Sequence, residues 1–481
     1  MIDPPRVELW AILPVLILFG GALVSLLGAA FARRSEQAPF ALFTLAAIAA
    51  AAASALWLWD REPTTVLQGM ASVDRLAVVG TLVLCGIGAY GTYLGFHYFE
   101  RDEHRRNEFY ALLLFALGGM ALLVAAADLI VVFLAVEVLS LALYVLTALT
   151  FRRGPTEAAM KYFLLGAFAS AFLLYGVAMS YGAAGTTSIQ GLARALVGTT
   201  GNQALALVGA LLLVVGLGFK LSLVPFHMWT PDVYQGAPSP VTAFMSAATK
   251  VAVFVAMMRV LFVAFGPLQW DLAPAVAVLS AVSMVIGSVL AIAQRDVKRM
   301  LAYSSVSQAG FTLAAFVSPN RAGIAAALFY LIAYSAAVIG AFGVVMLISG
   351  GIQEQTGFDR FRGLARRRPV LAGLLTIFLL SLAGIPPTAG FAAKVLVFGA
   401  AVNAGYWPLV LIGALATVVG AFFYLRVVAM MTMQEPQGND ISDASPLPQL
   451  VLAVPAVSVV VLGIVPGVIV PLLQEAGVLT W

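Results

Sequence analysis

The chain has 481 residues, of which 62% are hydrophobic and only 10% are charged. This composition excludes an ordinary soluble domain and predicts an all-α polytopic membrane protein. The single cysteine, Cys85, excludes both a disulfide framework and an iron–sulfur cluster, which takes about four cysteine ligands. Of the three histidines only His227 approaches the interior of a hydrophobic run, so a bis-histidine haem is excluded as well.

Hydrophobic runs bounded by charged residues, glycine or proline predict fourteen membrane spans, since about 20 apolar residues cross a bilayer. The run 109–150 is too long for one helix and is divided near Asp128. Pro225 interrupts one span, and Gly384–Pro387 interrupts another. An amphipathic segment that does not span is expected at 186–199. The predicted spans are 7–30, 38–59, 74–97, 108–126, 128–150, 157–181, 203–224, 238–264, 272–293, 298–317, 322–348, 369–402, 406–431 and 447–473.

The distribution of basic residues predicts the orientation, because loops on the cytoplasmic side are enriched in lysine and arginine. With the N-terminus outside, fifteen basic residues lie in inside loops and five outside. Both termini are therefore expected on the outer side. The same bias explains the net charge of +4 without a nucleic-acid partner. The inside residues are Arg33, Arg34, Arg101, Arg105, Arg106, Arg152, Arg153, Arg295, Lys298, Arg299, Arg360, Arg362, Arg366, Arg367 and Arg368; the outside residues are Arg6, Arg61, Arg75, Arg194 and Arg321.

Two lysines, Lys220 and Lys250, lie in the middle of predicted spans. A cation at that depth costs about 2.5–3.5 kcal/mol on insertion scales, so a functional role is the first hypothesis. Glu137 is the only carboxylate that falls well inside a predicted span, and we expect it to pair with Lys220. Desolvation disfavours both charges while their attraction favours them. Making or breaking such a pair would move the lysine between holding and releasing its proton.

A third lysine, Lys394, follows the second interrupted span, 174 residues after Lys220. Two interrupted helices in corresponding positions are typical of transporters with inverted repeats. Lys220, Lys250 and Lys394 are predicted to form a proton relay, with His227 and Tyr303 as further members. Arg259 and Arg426 are expected to be anchors at the membrane interface.

Two segments, PDVYQGAPSPVTAFMSAATKVAVF and SLAGIPPTAGFAAKVLVF, carry a family resemblance. They resemble the antiporter-like membrane subunits of respiratory complex I and the related subunits of multisubunit Na⁺/H⁺ antiporters. The lysine of SAATK fits the N-type subunit of the bacterial NADH:quinone oxidoreductase best. One departure stands in SSVSQAG, where many relatives have a histidine and this chain has Gln308.

The resemblance implies about 14 transmembrane helices with two inverted five-helix repeats, each containing one broken helix. It implies four regions: an N-terminal three-helix segment (1–107), the repeats (108–266 and 267–434) and a C-terminal helix (435–481). It also implies proton-transfer roles for Glu137, Lys220, Lys250 and Lys394.

The resulting hypothesis is a proton-translocating subunit of a redox-driven complex in the bacterial inner membrane, surrounded by lipid and by other membrane subunits. No cofactor is expected in this chain; FMN, iron–sulfur clusters and quinone are expected in partner subunits. Two alternatives stay open. A cation/proton antiporter would favour a carboxylate-rich site, and intramembrane acids are scarce here. A non-conducting scaffold would keep full pumping after the lysines are replaced.

Overall fold

The computed structural model describes residues 8–32, 36–100, 106–198, 201–351, 353–436 and 446–478. Within them the chain is almost entirely helical, and the all-α membrane fold predicted above is confirmed. The basic residues Arg6, Arg33, Arg34, Arg101 and Arg105, which the charge count includes, lie outside the described residues.

The helices, in chain order, are α1 (Leu13–Phe31), α2 (Gln37–Trp57), α3 (Arg75–Phe99), α4 (Glu108–Val124), α5 (Leu129–Ala148), α6 (Arg153–Ala184), α7 (Ile189–Val197), α8 (Gln203–Leu221), α9 (Thr230–Gly236), α10 (Ser239–Met258), α11 (Gln269–Ile292), α12 (Val297–Leu313), α13 (Arg321–Ile348), α14 (Leu364–Arg367), α15 (Pro369–Ala383), α16 (Ala389–Asn403), α17 (Trp407–Met433), α18 (Pro446–Ile464) and α19 (Val470–Ala476). One small antiparallel hairpin, β1 (Thr64–Val66) with β2 (Ala71–Val73), connects α2 to α3.

Twelve of the described helical segments are long and apolar enough to cross a membrane. The shorter α4 and the pair α15 and α16 occupy the other two spans predicted from the sequence. The amphipathic segment is present as α7. The last predicted span, 447–473, is wrong in extent: α18 ends at Ile464, and a short 3-10 turn separates it from α19.

The expected division near Asp128 is confirmed, and its cause is a helix cap. Asp128 accepts a hydrogen bond from the Ile130 amide at the start of α5, and Thr187 donates to its other oxygen. Asp296 does the same for α12, capping Arg299 N and accepting from Thr356. A side-chain oxygen at this position satisfies amides that have no partner inside the helix.

The backbone around these two caps repeats. Leu129 N donates to Thr187 O in the first instance, and Val297 N donates to Thr356 O in the second. The returning bonds also match: Ile189 N donates to Ala127 O, and Phe358 N donates to Arg295 O. The start of α5 therefore has the same local arrangement as the start of α12.

Both predicted helix interruptions are present. The helix α8 ends at Leu221 and α9 begins at Thr230, while α15 ends at Ala383 and α16 begins at Ala389. The residue after each first half is left-handed, with φ of 63° at Ser222 and 81° at Gly384. This conformation stops a right-handed helix.

Arg259 is not an interface anchor, so that prediction is wrong. Its side chain is fully buried and donates from both terminal nitrogens to Asp74, at 2.7 Å each. Its Nε donates to Val124 O at 2.8 Å. Asp74 also caps α3 through the Ala77 amide, so the ion pair joins α3 to the end of α10. The position of a residue within a hydrophobic run indicates its depth in the membrane. It does not show whether another helix supplies a partner for its charge.

Candidate functional site

Lys250 lies on α10 with only 2% of its surface exposed, and its ammonium is held by backbone carbonyls. Nζ donates to Leu221 O at 2.8 Å and to Ser305 O at 3.0 Å. Leu221 is the last residue of α8, whose terminal carbonyls have no partner within the helix. The negative end of a helix favours a cation, by about 0.3–1 kcal/mol at exposed sites. Among the described residues, the first helix break therefore binds an ammonium without a carboxylate.

Lys394 on α16 is bound in a similar way at the second break. Its Nζ donates to Ala383 O, the last carbonyl of α15, at 2.9 Å. The ammonium also lies 4.4 Å from the centre of the Phe311 ring, a favourable distance for a cation–π contact. Only 6% of the residue is exposed, so it does not extend to the membrane surface.

Lys220 is 2% exposed near the end of α8, and its surroundings are aromatic. Nζ donates to Tyr144 Oη at 3.3 Å and lies 5.0 Å from the centre of the Tyr162 ring. Such faces attract a desolvated cation. Lys220 and Lys394, although 174 residues apart, do not occupy corresponding positions at the two breaks. Lys220 precedes the first break, whereas Lys394 follows the second.

Glu137 is half-buried on α5 and accepts a hydrogen bond from Ser170 on α6. Among the residues described here, Glu137 and Lys220 form no direct ion pair. Tyr144, seven residues after Glu137 on the same helix, contacts the lysine instead. Residues seven apart lie on one face of a helix. The acid and the lysine therefore share one polar region without a contact between their charges.

Tyrosine, serine and amide groups lie between the two breaks. Tyr334 donates to Ser305 Oγ at 2.9 Å, beside the carbonyl that accepts from Lys250. Gln308 donates to Leu382 O at 2.8 Å and to Tyr424 Oη at 3.1 Å, and it accepts from Tyr330. The neutral Gln308 amide therefore connects α12 to three other helices, α13, α15 and α17.

His227 and Tyr303 are near one another, with ring centres 6.4 Å apart. His227 is buried in the first break, and its Nδ1 has no hydrogen-bond partner within the described part of the chain. Three other buried polar atoms share this property: Tyr162 Oη, whose ring faces Lys220, Thr249 Oγ1 on α10 and Ser335 Oγ on α13. Buried polar groups are normally hydrogen-bonded, to protein or to water. These atoms are where internal water is expected.

A charged cluster closes the other end of the first break. Asp232 on α9 accepts from Lys161 at 2.9 Å and from Arg299 at 2.7 Å, and Lys161 also pairs with Glu157. These groups are partly exposed, unlike the three buried lysines. Lys161 therefore links α6 to the second half of the broken helix.

The sequence reasoning missed Tyr144 and Ser170, which contact Lys220 and Glu137, and Tyr424, which contacts Gln308. Each is a polar residue within an apolar helix, and that was the available signal. The sequence does not show which polar residues of different helices meet.

The chain matches a family described as NADH:quinone oxidoreductase/Mrp antiporter, transmembrane, over residues 126–420. It is 43% identical to NADH-quinone oxidoreductase subunit N of Acidothermus cellulolyticus, over 99% of this chain and 97% of that one. A chain of respiratory complex I from Thermus thermophilus with bound aureothin is 35% identical. It matches with a TM-score of 0.83, over 96% of this chain and 99% of that one.

A chain of the Mrp complex from Dietzia sp. DQ12-45-1b is 22% identical, with a TM-score of 0.86 over 98% of this chain and 97% of that one. At this level of identity the match concerns the fold alone.

Proposed function

Because the chain belongs to the NADH:quinone oxidoreductase/Mrp antiporter transmembrane family, we propose that its buried charges move protons across the membrane. It is an antiporter-like membrane subunit of an NADH:quinone oxidoreductase, and its partners are the other membrane subunits of that complex. We propose that FMN, iron–sulfur clusters and quinone are bound by those partners.

The observation that carries the mechanism is the position of Lys250 and Lys394. Each ammonium is buried at a helix break and donates to the last carbonyl of the first half-helix. A carbonyl stabilises the charged lysine but cannot neutralise it by taking its proton. The proton can therefore leave only along water or side chains, and the unpartnered buried polar atoms of α6, α10 and α13 support a hydrated path.

We propose that Glu137 and Lys220 begin the charge coupling, through Tyr144 and Ser170 rather than through a direct pair. Electron transfer in partner subunits would change the charge near Glu137, which is half-buried and therefore accessible to a neighbour. Each buried charge changes the proton affinity of the next, as coupled sites do. His227 and Tyr303 would complete the path near the first break.

We propose two inverted repeats, 108–266 and 267–434, following an N-terminal segment at 1–107 and preceding a C-terminal helix at 435–481. The matching caps of α5 and α12 support this division. Four crossings, those of α6, α8, α10 and α11, lie between those helices, so the two run in opposite directions.

The proposed location is the bacterial inner membrane with both termini outside, which the excess of basic residues in alternate loops supports. Single cysteines test it, because the native Cys85 is buried. We expect Gln353→Cys to react with an impermeant thiol reagent only in inside-out vesicles, and Gln68→Cys only in right-side-out vesicles. The reverse labelling would contradict the orientation.

The main test uses the purified complex in proteoliposomes. We expect Lys220→Ala and Glu137→Ala each to lower NADH-driven proton pumping several-fold while the complex still assembles. A subunit that only holds its neighbours together would keep full pumping in both variants.

A further inference from the structure

A cavity of about 490 Å³ opens on the face that the charge distribution assigns to the inside. It lies between the start of α6, the end of α9 and the loop that follows α13. Its charged lining residues are Arg152 and Glu354. The lining consists of Tyr98, Arg152, Gly154, Pro155, Gln235 to Pro238, and Gln353 to Gln355.

Glu354 connects this cavity to the protein interior. Its carboxylate accepts from Ser239 N and Ser239 Oγ at 2.7 Å each, and from Lys298 Nζ at 2.6 Å. The Glu354 side chain is 11% exposed, whereas that of Lys298 is fully buried. The sequence count had placed Lys298 among the inside loop residues; it lies instead inside the protein, one residue after the start of α12.

A helix cap alone explains only part of this arrangement. Ser239 is the first residue of α10, and a carboxylate favours that end of a helix. A cap needs no buried lysine, however, and burying a charged pair costs free energy that its attraction often fails to repay. Lys298 also donates to Ala237 O at 2.6 Å, so both ends of the ion pair are fixed at the wall of the cavity.

A line of polar side chains extends from this pair to Lys250. Ser239, Thr242, Ser246 and Lys250 follow one another at intervals of three or four residues along α10, and all are buried. This spacing places them on one face, about 5–6 Å apart. One water molecule can bridge each step.

The matching part of the other set of helices lacks this arrangement. The backbone bonds pair Leu129 with Val297, so Ile130 on α5 corresponds to Lys298 on α12. Ile130 is 48% exposed and cannot form an ion pair. The pair is therefore specific to the inside end of α10 and is not a requirement of the repeated backbone.

We propose that Glu354, bound to Lys298, is the group that takes protons from the inside water and passes them towards Lys250. A hydronium ion gives its proton to the Glu354 carboxylate, which becomes a neutral acid and weakens its bond to Lys298. The proton then passes through water beside Ser239, Thr242 and Ser246 to the neutral Lys250 amine. Lys250 becomes an ammonium, and Glu354 returns to the carboxylate. This path rests on the proposed function of Lys250.

The experiment compares Glu354→Gln, Lys250→Ala and Asp359→Asn in the assembled complex in proteoliposomes, as protons pumped per NADH oxidised. Asp359 is the matched control, because it is an exposed acid five residues away that pairs only with Arg362 among the described ion pairs. We expect Glu354→Gln to lower the ratio as far as Lys250→Ala does, and Asp359→Asn to leave it unchanged.

Two further outcomes separate this proposal from the general one. A normal ratio in Glu354→Gln beside a lowered ratio in Lys250→Ala would overturn the intake role alone. A normal ratio in Lys250→Ala would overturn the proposed function itself.

Glu354→Asp distinguishes proton uptake from helix capping. The glutamine variant keeps an oxygen for the Ser239 amide but cannot take up a proton at working pH, whereas aspartate keeps the titrating group. We expect aspartate to restore part of the ratio that glutamine loses, with equal amounts of assembled complex in both. If both variants assemble and pump alike, Glu354 is a structural cap.

Discussion

The two helix breaks have the same backbone design but different surroundings. In each, a left-handed residue ends the first half-helix, and the carbonyl just before it accepts a buried ammonium. The first break lies near a second lysine, Lys220, and near the line of polar residues from Glu354. The second break presents the Phe311 ring to Lys394. The shared design stabilises a buried charge, and we propose that the surroundings determine where its proton can go.

The largest effect is expected from removing the ammonium at the second break. Lys394→Ala leaves Ala383 O without its donor and removes the titrating group there. We expect a several-fold fall in NADH-driven pumping, measured with the complex in proteoliposomes. Arg426→Ala is the control, since Arg426 also lies in an apolar helix but its hydrogen bond to Ile292 O is exposed. Equal pumping by the two variants would contradict a role for the second break.

Glu137 provides a second, smaller test, because it reaches the buried Lys220 through neighbouring polar groups and not by a direct contact. We expect Glu137→Ala to lower pumping more than Ser170→Ala does. The serine variant removes one hydrogen bond, worth about 1 kcal/mol, and should change the rate by no more than about fivefold. If the serine variant were as damaging as the loss of the acid, the carboxylate charge would not be the active feature.

Gly384 allows a steric test of the Lys394 position at the second break. An added Cβ would lie 2.8 Å from Lys394 Cδ and 3.0 Å from Nζ. The left-handed backbone would add about 1–2 kcal/mol of strain. We expect Gly384→Ala to displace the ammonium and lower pumping partially. Gly399→Ala on α16, where a Cβ meets nothing within 4 Å, should pump normally. Normal pumping by both would show that the Lys394 position is not critical.

The smallest effect is expected at the matching residue of the first break. Ser222→Gly removes the strain of a left-handed non-glycine residue, which stabilises the fold by about 1–2 kcal/mol. It also removes a 2.7 Å hydrogen bond from Thr230, worth about 1 kcal/mol. These changes nearly cancel, so the thermal stability of the assembled complex should stay close to that of the unchanged protein. A large loss of stability would mean that the Thr230 bond holds the first break together.

Sequence reasoning was most successful where a single segment carries the information. The hydrophobic runs predicted the spans, and Pro225 and Gly384 marked the breaks, because these signals act within one helix. The burial of Lys220, Lys250 and Lys394 was also expected from their positions in apolar segments.

Contacts between distant segments could not be predicted from the sequence. The partners of Lys250 are carbonyls of Leu221 and Ser305, and backbone carbonyls occur at every residue, so no sequence pattern identifies them. Arg259 was assigned to the membrane interface because nothing in the sequence links it to its partner, Asp74, which lies 185 residues earlier. The Glu137–Lys220 pair was predicted from charge alone, which does not reveal Tyr144 beside the lysine.

The most direct test of the account is the number of protons pumped per NADH when both breaks lose their ammonium groups. The complex carrying Lys250→Ala together with Lys394→Ala would be compared with the unchanged complex at equal NADH oxidation. The account predicts a ratio below that of the unchanged complex. The double variant should pump as many protons per NADH as the more impaired single variant, because both lysines serve one path. An unchanged ratio in a fully assembled double variant would contradict it.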